Sequence, residues 1–258
     1  MNPSFSSQDN RPVVCLTGAS RGIGEATAQA LASHGYRLML VGRDAHTLAT
    51  LSDTLYQRYA LTPHSVAVCL ADLSQPTTVA QQAQHILNET LQAFGRLDTL
   101  INNAGVGGKV GLLTELSDDS IATMLTLNLH APMLLSKHAL ASFVQQGIEG
   151  TIININSIAG KTAFPFWAVY DATKHGLKAF SEALLEEQRS NGIRILSIYP
   201  GACNTAIWDS LDLAADESPN KSGMLQPKDV AEAVVFALQQ PKHILMNDIT
   251  LQPTRPVL

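Results

Sequence analysis

The chain has 258 residues, of which 45% are hydrophobic and 15% are charged, and its net charge at pH 7 is -5. This composition fits one soluble α/β domain, and the acidic balance without a basic run excludes a general nucleic-acid surface. No apolar stretch approaches the ~18 residues that cross a bilayer, so we expect no membrane association.

The N-terminus is predicted to lie outside the folded domain. Residues 1–11 lack the basic start and the apolar centre of a secretory signal, and we expect a flexible arm there, followed by a single domain over residues 12–258. Cys15, Cys69 and Cys203 are odd in number and widely spaced. This pattern favours reduced thiols in a cytoplasmic protein and argues against disulfides and a zinc site.

A glycine-spaced turn follows the first apolar run. The run, Val13–Leu16, is typical of a strand buried on both faces of a parallel sheet. A helix predicted over Gly22–Ser33 would present its free N–H groups and the positive end of its dipole to a phosphate. No Gly-Lys-Ser/Thr follows, so a dinucleotide site is favoured over a triphosphate-hydrolysing loop. The expected cofactor contacts in this turn are Gly18, Ser20, Arg21, Gly22, Ile23 and Gly24.

Strand-like runs and helical patterns then alternate to the end of the chain. The further strands are predicted at Arg37–Gly42, His64–Leu70, Leu97–Asn102, Gly150–Asn156, Ile193–Tyr199 and Asp248–Leu251. Such alternation predicts an α/β fold: a single-domain, Rossmann-type, doubly wound parallel sheet of about seven strands, with helices on both faces. The ligand crevice is expected at the carboxyl ends of the strands.

The end of the second strand bears on the choice of cofactor. An acid at this corner would bind the adenosine ribose and favour NAD, but Gly42 stands there and Arg43 follows. Asp44 is a rival for that role, although we expect it to cap the helix beginning at Ala45. Arg21 and Arg43 together suit a 2′-phosphate, so NADP(H) is preferred and NAD(H) remains possible. The alternative is that both arginines are solvated surface charges.

Polar and small residues after the third and fourth strands are expected beside the same crevice. Asp72, which precedes Leu73, either accepts from the adenine amino group or closes a turn. Asn103, Ala104 and Gly105 let backbone pass close to a cofactor, and asparagine side chains there also suit bracing of neighbouring strands.

Tyr170 and Lys174 are four residues apart in a helix predicted to run to about Ser190. This spacing places both side chains on one helix face, where the ammonium group would stabilise a phenolate. Because an unperturbed tyrosine has a pKa of about 10, we expect Lys174 to lower the pKa of Tyr170.

These features together resemble the short-chain dehydrogenase/reductase family over nearly the whole chain. The C-terminal stretch, residues 226–254, is similar to the NADP-dependent 3-hydroxy-acid and serine dehydrogenase branch, near the carbonyl reductases. The residues that carry the family resemblance, in order and spacing, are the glycine turn, Asp72, Asn102–Gly105, Asn128, Ser157, Tyr170, Lys174, Pro200–Gly201 and Thr205.

The resemblance implies a catalytic tetrad. Tyr170 would be the general acid and base, and Ser157 would hydrogen-bond the same substrate oxygen. Lys174 would hold the nicotinamide ribose, and Asn128 would hold a water that feeds protons toward Lys174. Taken singly, Ser157 would cap a loop, Asn128 would satisfy backbone groups and Tyr170 would belong to the core.

The resemblance also places the nicotinamide and the substrate. The nicotinamide carboxamide is expected against Pro200, Gly201, Cys203 and Thr205, with no reaction of the thiol. Residues 206–225 lack clear periodicity and are interpreted as a substrate lid. Lys161 is the nearest candidate to bind an anionic group. The mouth of the substrate pocket is expected to be lined by Phe164, Phe166, Trp167 and Trp208.

The predicted function is that of an NADP(H)-dependent oxidoreductase that interconverts a carbonyl and a secondary alcohol. A 3-oxoacyl thioester reductase is one alternative, and a non-catalytic NADPH-binding sensor is an alternative of another class. His130, His138 and His175 lack ligand-like spacing, so no metal is expected. The expected partner is a small carbonyl or hydroxy substrate, and the resemblance implies a homotetramer or homodimer.

Overall fold

The fold is a seven-stranded parallel sheet between two layers of helices, as the sequence predicts. The computed structural model describes residues 9–208 and 221–255. Its strands run in the order β3-β2-β1-β4-β5-β6-β7, and every neighbouring pair is parallel. The strands are β1 (Val13–Thr17), β2 (Arg37–Gly42), β3 (Val66–Leu70), β4 (Thr99–Asn102), β5 (Thr151–Ile155), β6 (Arg194–Pro200) and β7 (Asp248–Leu251).

The helices divide between the two faces of the sheet and bury two separate apolar cores. Buried residues of α1, α2 and α7 pack on one face, and those of α3, α5 and α6 pack on the other. A π-helical segment, Thr126–His130, joins α4 to α5. The helices are α1 (Gly22–Ser33), α2 (Ala45–Arg58), α3 (Val79–Phe94), α4 (Asp118–Leu125), α5 (Ala131–Gln146), α6 (Ala168–Gln188) and α7 (Pro227–Gln239).

Turn chemistry shifts some element boundaries from the predicted positions. The third strand begins at Val66 because His64 has a left-handed φ of 65° and the Ser65 N–H bonds the Thr62 carbonyl. Before β1, Arg11 forms a 2.6 Å ion pair with Asp9 and packs against the domain, while residues 1–8 of the expected arm lie outside the described residues. In the described ranges, no helix combines the length and apolar character needed to span a membrane.

Strand order reverses between β1 and β4, the position at which doubly wound sheets open a crevice. The loops after β1, β4, β5 and β6 therefore meet at one edge of the sheet. These loops carry most of the residues predicted to act on cofactor and substrate.

Candidate active site

The turn after β1 packs closely against its neighbours only because of its glycines. Gly18 has a left-handed φ of 63°, and a Cβ added there would lie 2.9 Å from the Cα of Ala104. A Cβ on Gly24 would lie 2.0 Å from the Gly18 carbonyl oxygen. The start of α1 and the β4 loop thus approach the turn through backbone alone, which forms a cradle for a phosphate group.

Asparagine side chains lock this cradle to the sheet. The Asn103 side chain donates to the carbonyl oxygens of Thr17 and Gly18 at 2.9 and 3.0 Å. Asn102 donates to the Asn154 side chain at 2.8 Å and so joins β4 to β5. The predicted bracing of neighbouring strands is confirmed, and the cradle is hydrogen-bonded to the sheet.

A cavity of roughly 210 Å³ extends from this cradle along the ends of β2 and β3. Arg21 and Arg43 both line it and are both exposed. Asp44 caps α2, as predicted, by accepting from the Thr47 N–H at 2.6 Å. The described residues lining this cavity include the glycine turn, Asp72, Leu73, Asn103, Ala104, Gly105 and Thr205.

Asp72 closes the turn after β3, which was one of its two predicted roles. Its Oδ1 accepts from the Ser74 N–H at 2.9 Å and from the Ser74 hydroxyl at 2.6 Å. Burial opposes its ionisation, but these hydrogen bonds and the nearby charge of Arg43 lower the pKa of Asp72. The cavity therefore holds an ionised carboxylate beside its arginine.

Ser157 and the first turns of α6 come together beyond the end of β5. The Asn156 side chain accepts from the Ser157 N–H at 2.9 Å and donates to the Lys174 carbonyl at 3.2 Å. The Ser157 Oγ accepts from the Ala159 N–H at 3.1 Å, so this serine also caps the short helix that follows β5. Asn156 is a positioning residue to which the sequence analysis gave no role.

The electrostatics around Tyr170 differ from the expectation. Burial raises the pKa of Tyr170 to about 12, while hydrogen bonding with Ser157 acts to lower it. The Lys174 ammonium lies 5.7 Å from the centre of the Tyr170 ring and donates instead to the Ile155 carbonyl at 3.1 Å. The predicted lowering of the Tyr170 pKa by Lys174 is therefore wrong.

Lys174 is itself perturbed by the site. Its side chain is 6% exposed, and burial lowers its pKa from 10.5 to about 8. It forms no ion pair among the described side chains. The ammonium group is thus held in a poorly solvated position, one helical turn from the phenol.

Asn128 lies in the π-helical segment and connects two parts of the site. Its side chain exchanges hydrogen bonds with the backbone N–H and carbonyl of Val106, both at 2.9 Å. It also donates to the Thr173 hydroxyl at 3.3 Å. These contacts match the backbone-satisfying interpretation, and the water-holding role stays a prediction.

A second cavity, of roughly 160 Å³, opens in front of Ser157 and Tyr170. Both this cavity and the first are lined by Ile23, Thr205 and Ile207, so the two cavities are adjacent. The predicted wall residues Phe164, Trp167 and Trp208 line the second cavity, together with Pro200, Gly201 and Cys203.

Trp167 and Phe166, both expected at the mouth of the substrate pocket, differ in their position relative to it. The Trp167 ring lies 5.4 Å from that of Tyr170, in an edge-on arrangement, and so belongs to the site. Phe166 does not line the cavity: its side chain is 57% exposed, and its carbonyl accepts from Gly111. A left-handed φ of 69° at Phe166 turns this residue out of the wall.

Lys161 is engaged elsewhere, so the expectation that it binds an anionic group in the pocket is wrong. Its ammonium donates to Asp248 and to Thr250, both at 3.0 Å, and lies 4.1 Å above the Tyr199 ring. These partners belong to β6 and β7, which lie far from Lys161 in sequence. Spacing along the chain gives no sign of them.

The loop after β6 is held by β7 and by the segment that precedes α7. The Gly201 N–H donates to the Leu251 carbonyl at 2.7 Å, and Cys203 bridges to Leu225. Burial raises the pKa of the Cys203 thiol to about 12, which keeps it protonated. Of the predicted lid, residues 206–208 and 221–225 are described, and residues 209–220 lie outside the described residues.

Asp171 was missed by the sequence analysis. Its Oδ2 accepts from the Phe164 N–H at 2.6 Å, while its Oδ1 is buried with no partner among the described residues. Burial raises the pKa of Asp171, and its charge acts to raise that of Tyr170. The available signal was an acid in the first turn of the Tyr-x-x-x-Lys helix, where backbone N–H groups need acceptors.

No histidine, cysteine or acid cluster among the described residues forms a metal site.

Comparison with known proteins places this geometry in a family. A family model described as short chain dehydrogenase matches residues 12–216. An uncharacterized oxidoreductase of Staphylococcus aureus (strain MRSA252) is 33% identical over 243 residues, which cover 93% of this chain and 96% of the relative.

Three solved structures are also similar to this chain over most of its length. An alcohol dehydrogenase from the archaeon Thermococcus sibiricus, complexed with 5-hydroxy-NADP, is 30% identical with a TM-score of 0.81, covering 95% of this chain and 99% of that one. A serine dehydrogenase complexed with NADP⁺ is 25% identical with a TM-score of 0.83, covering 93% and 94%. A short-chain dehydrogenase from Sphingobium yanoikuyae in complex with NADPH is 28% identical with a TM-score of 0.78, covering 93% and 87%.

Proposed function

This chain belongs to the short-chain dehydrogenase family, and we propose that it is an NADP(H)-dependent oxidoreductase that interconverts a carbonyl and a secondary alcohol. The observation that carries this proposal is a pair of adjacent cavities: the first contains a glycine cradle flanked by two arginines, and the second contains Ser157 and Tyr170. The first cavity suits a phosphorylated dinucleotide, and the second offers a proton donor.

The residues that line the first cavity suit a bound dinucleotide. Cβ atoms at Gly18 and Gly24 would collide with Ala104 and with the Gly18 carbonyl oxygen, so the turn keeps the shape of a pyrophosphate cradle only with glycine at these positions. Arg21 and Arg43 would hold the 2′-phosphate, and Lys174 would hold the nicotinamide ribose. NADP-bound and NADPH-bound structural relatives support this assignment. When bound, the reduced nicotinamide supplies the hydride.

Protein groups supply the proton and the orientation. Tyr170 donates its phenolic proton to the carbonyl oxygen, and Ser157 donates a hydrogen bond to the same oxygen. The ammonium group of Lys174 stabilises the phenolate that remains, a contribution that counts most once a ligand has excluded water from the site. Asn128 ties the β4 loop to α6, which fixes the distance between cradle and phenol.

A screen of carbonyl substrates tests this proposal against the sensor alternative. NADPH oxidation is followed by absorbance for the wild-type protein and for Tyr170→Phe, and NADPH binding by both proteins is measured separately by fluorescence. We expect turnover that the variant lacks, at nearly unchanged NADPH affinity. Tight NADPH binding without Tyr170-dependent turnover on any carbonyl would establish the sensor instead.

A further inference from the structure

We propose that the substrate cavity selects an uncharged carbonyl compound carrying an aromatic or similarly bulky apolar group, and rejects substrates with a free carboxylate. This inference deepens the proposed function and rests on it for the reaction itself. In that reaction the carbonyl carbon gains the hydride and the oxygen gains the Tyr170 proton. The ketone becomes a secondary alcohol, and the reduced dinucleotide is oxidised.

The cavity contains no side chain that would neutralise a charged substrate. Among the described residues that line it, none is a lysine, arginine, histidine, aspartate or glutamate. Asn156 uses both ends of its amide within the protein, and Trp208 donates its Nε1–H to the Cys203 carbonyl at 2.8 Å. The side-chain groups left to a ligand are the hydroxyls of Ser157, Tyr170 and Thr205. Hydroxyl groups suit a carbonyl oxygen, whereas a buried carboxylate needs a paired cation.

Two lysines that are close in sequence to residues of the cavity wall are hydrogen-bonded to other groups. Lys161, the obvious candidate from sequence, is bound to Asp248 and Thr250 on β7. Lys174 does not line this cavity and donates to the Ile155 carbonyl. The described lining of the cavity therefore offers no cation to an anionic substrate.

The walls are aromatic and are fixed to the catalytic elements. The Phe164 N–H is held by Asp171, the residue directly after the catalytic tyrosine, at 2.6 Å. Trp167 packs edge-on between Tyr170 and Trp208, with ring centres 5.4 and 6.3 Å away. Edge-on and offset stacking against such walls favours a flat apolar substituent next to the reacting carbonyl.

The test uses tryptophan fluorescence, because the chain has two tryptophans and both line this cavity. Protein saturated with NADP⁺ cannot reduce a ketone, so quenching reports binding alone. The probes are methyl benzoylformate, benzoylformate and methyl pyruvate: the first two differ in charge, and the first and third differ in the ring. We expect benzoylformate to bind about 100-fold more weakly than its ester. Methyl pyruvate should bind at least about tenfold more weakly than methyl benzoylformate.

Two arginine substitutions in the loop that contains Phe164 and Phe166 distinguish the effect of a charge inside the cavity from the effect of altering the loop. Phe164→Arg places a cation on the cavity wall and should improve benzoylformate binding about fivefold or more. Phe166→Arg places the same cation outside the cavity and should leave the ester-to-acid ratio unchanged. Benzoylformate binding to the wild-type protein as tightly as the ester, or equal effects of the two arginines, would overturn the proposed selectivity.

Turnover of the same probes is also measured with NADPH. This measurement distinguishes a failure of the proposed oxidoreductase function from a failure of the proposed substrate selectivity. If the ester binds selectively but the wild-type enzyme reduces neither the probes nor any carbonyl of the screen, the proposed oxidoreductase function fails and the ligand class stands. If benzoylformate is both bound and reduced better than its ester, the oxidoreductase function stands and the inference about substrate fails.

Discussion

Replacing Lys174 by methionine should abolish activity and at the same time stabilise the ligand-free protein. Burial lowers the pKa of this lysine from 10.5 to about 8, and each pKa unit corresponds to ~1.4 kcal/mol, so the buried charge costs about 3 kcal/mol at pH 7. The hydrogen bond to the Ile155 carbonyl returns about 1 kcal/mol, which is lost in the variant. The net expectation is a gain of about 2 kcal/mol in the free energy of unfolding.

The lowered pKa of Lys174 also makes the free energy of unfolding depend on pH. A lysine with a lowered pKa releases its proton more readily in the folded protein than in the unfolded chain. Between pH 8 and pH 10.5 the unfolded chain therefore holds more protons at Lys174, and this residue makes the free energy of unfolding rise with pH across that window. The methionine variant should lack this contribution, so its gain over wild type should be largest at pH 7 and shrink above pH 8.

Urea unfolding of the ligand-free protein is followed by circular dichroism from pH 7 to pH 10.5. It measures the gain in the free energy of unfolding and the dependence of that gain on pH. Lys178→Met is the matched control, since Lys178 lies one turn further along α6 in a surface ion pair with Glu182. The control should change stability by less than about 1 kcal/mol and should not alter its pH dependence. Loss of stability on Lys174→Met at pH 7, or equal pH profiles for that variant and wild type, would refute the reasoning.

Further substitutions test the cradle, the cofactor preference and the acid beside the phenol. Arg43→Asp should shift relative affinity from NADPH toward NADH, measured by cofactor titration; unchanged relative affinities would leave this arginine a solvated charge. Gly24→Ala should weaken NADPH binding at least about tenfold, because the new Cβ would lie 2.0 Å from the Gly18 carbonyl oxygen; binding at wild-type affinity would count against the cradle. Asp171→Asn keeps an acceptor for the Phe164 loop but removes a charge that acts to raise the Tyr170 pKa, so the ultraviolet titration profile of the Tyr170 phenol, identified by its loss in Tyr170→Phe, should move to lower pH. A profile that does not move would make Asp171 purely structural.

The fold was predictable because its signals are local. Continuous apolar runs, helical spacing and the glycine turn determine seven strands and their connections, and Arg37–Gly42, Asp248–Leu251 and Gly22–Ser33 were predicted to the residue. The Asp44 cap was also predictable, since a cap depends on neighbours within one turn. Boundaries moved where a left-handed residue such as His64 changed the course of the chain.

The site residues were predictable as a set, but not their partners. Lys161 is bound to β7, whose residues follow it by almost ninety positions, and no spacing rule reveals such a pair. The Tyr170 pKa depends on how deeply the ring is buried and on where the Lys174 ammonium points, both of which are tertiary properties. Asp171 acquires its role only because the Phe164 loop folds back over α6.

The most direct test of the central claim is the single-turnover rate of NADPH oxidation by Tyr170→Phe, with cofactor and an uncharged aromatic ketone both saturating. If Tyr170 protonates the carbonyl oxygen, this rate should fall by ~10² or more relative to wild type while NADPH affinity changes little. A rate within a few-fold of wild type, at the same NADPH affinity, would show that the proton comes from another group and would contradict the account.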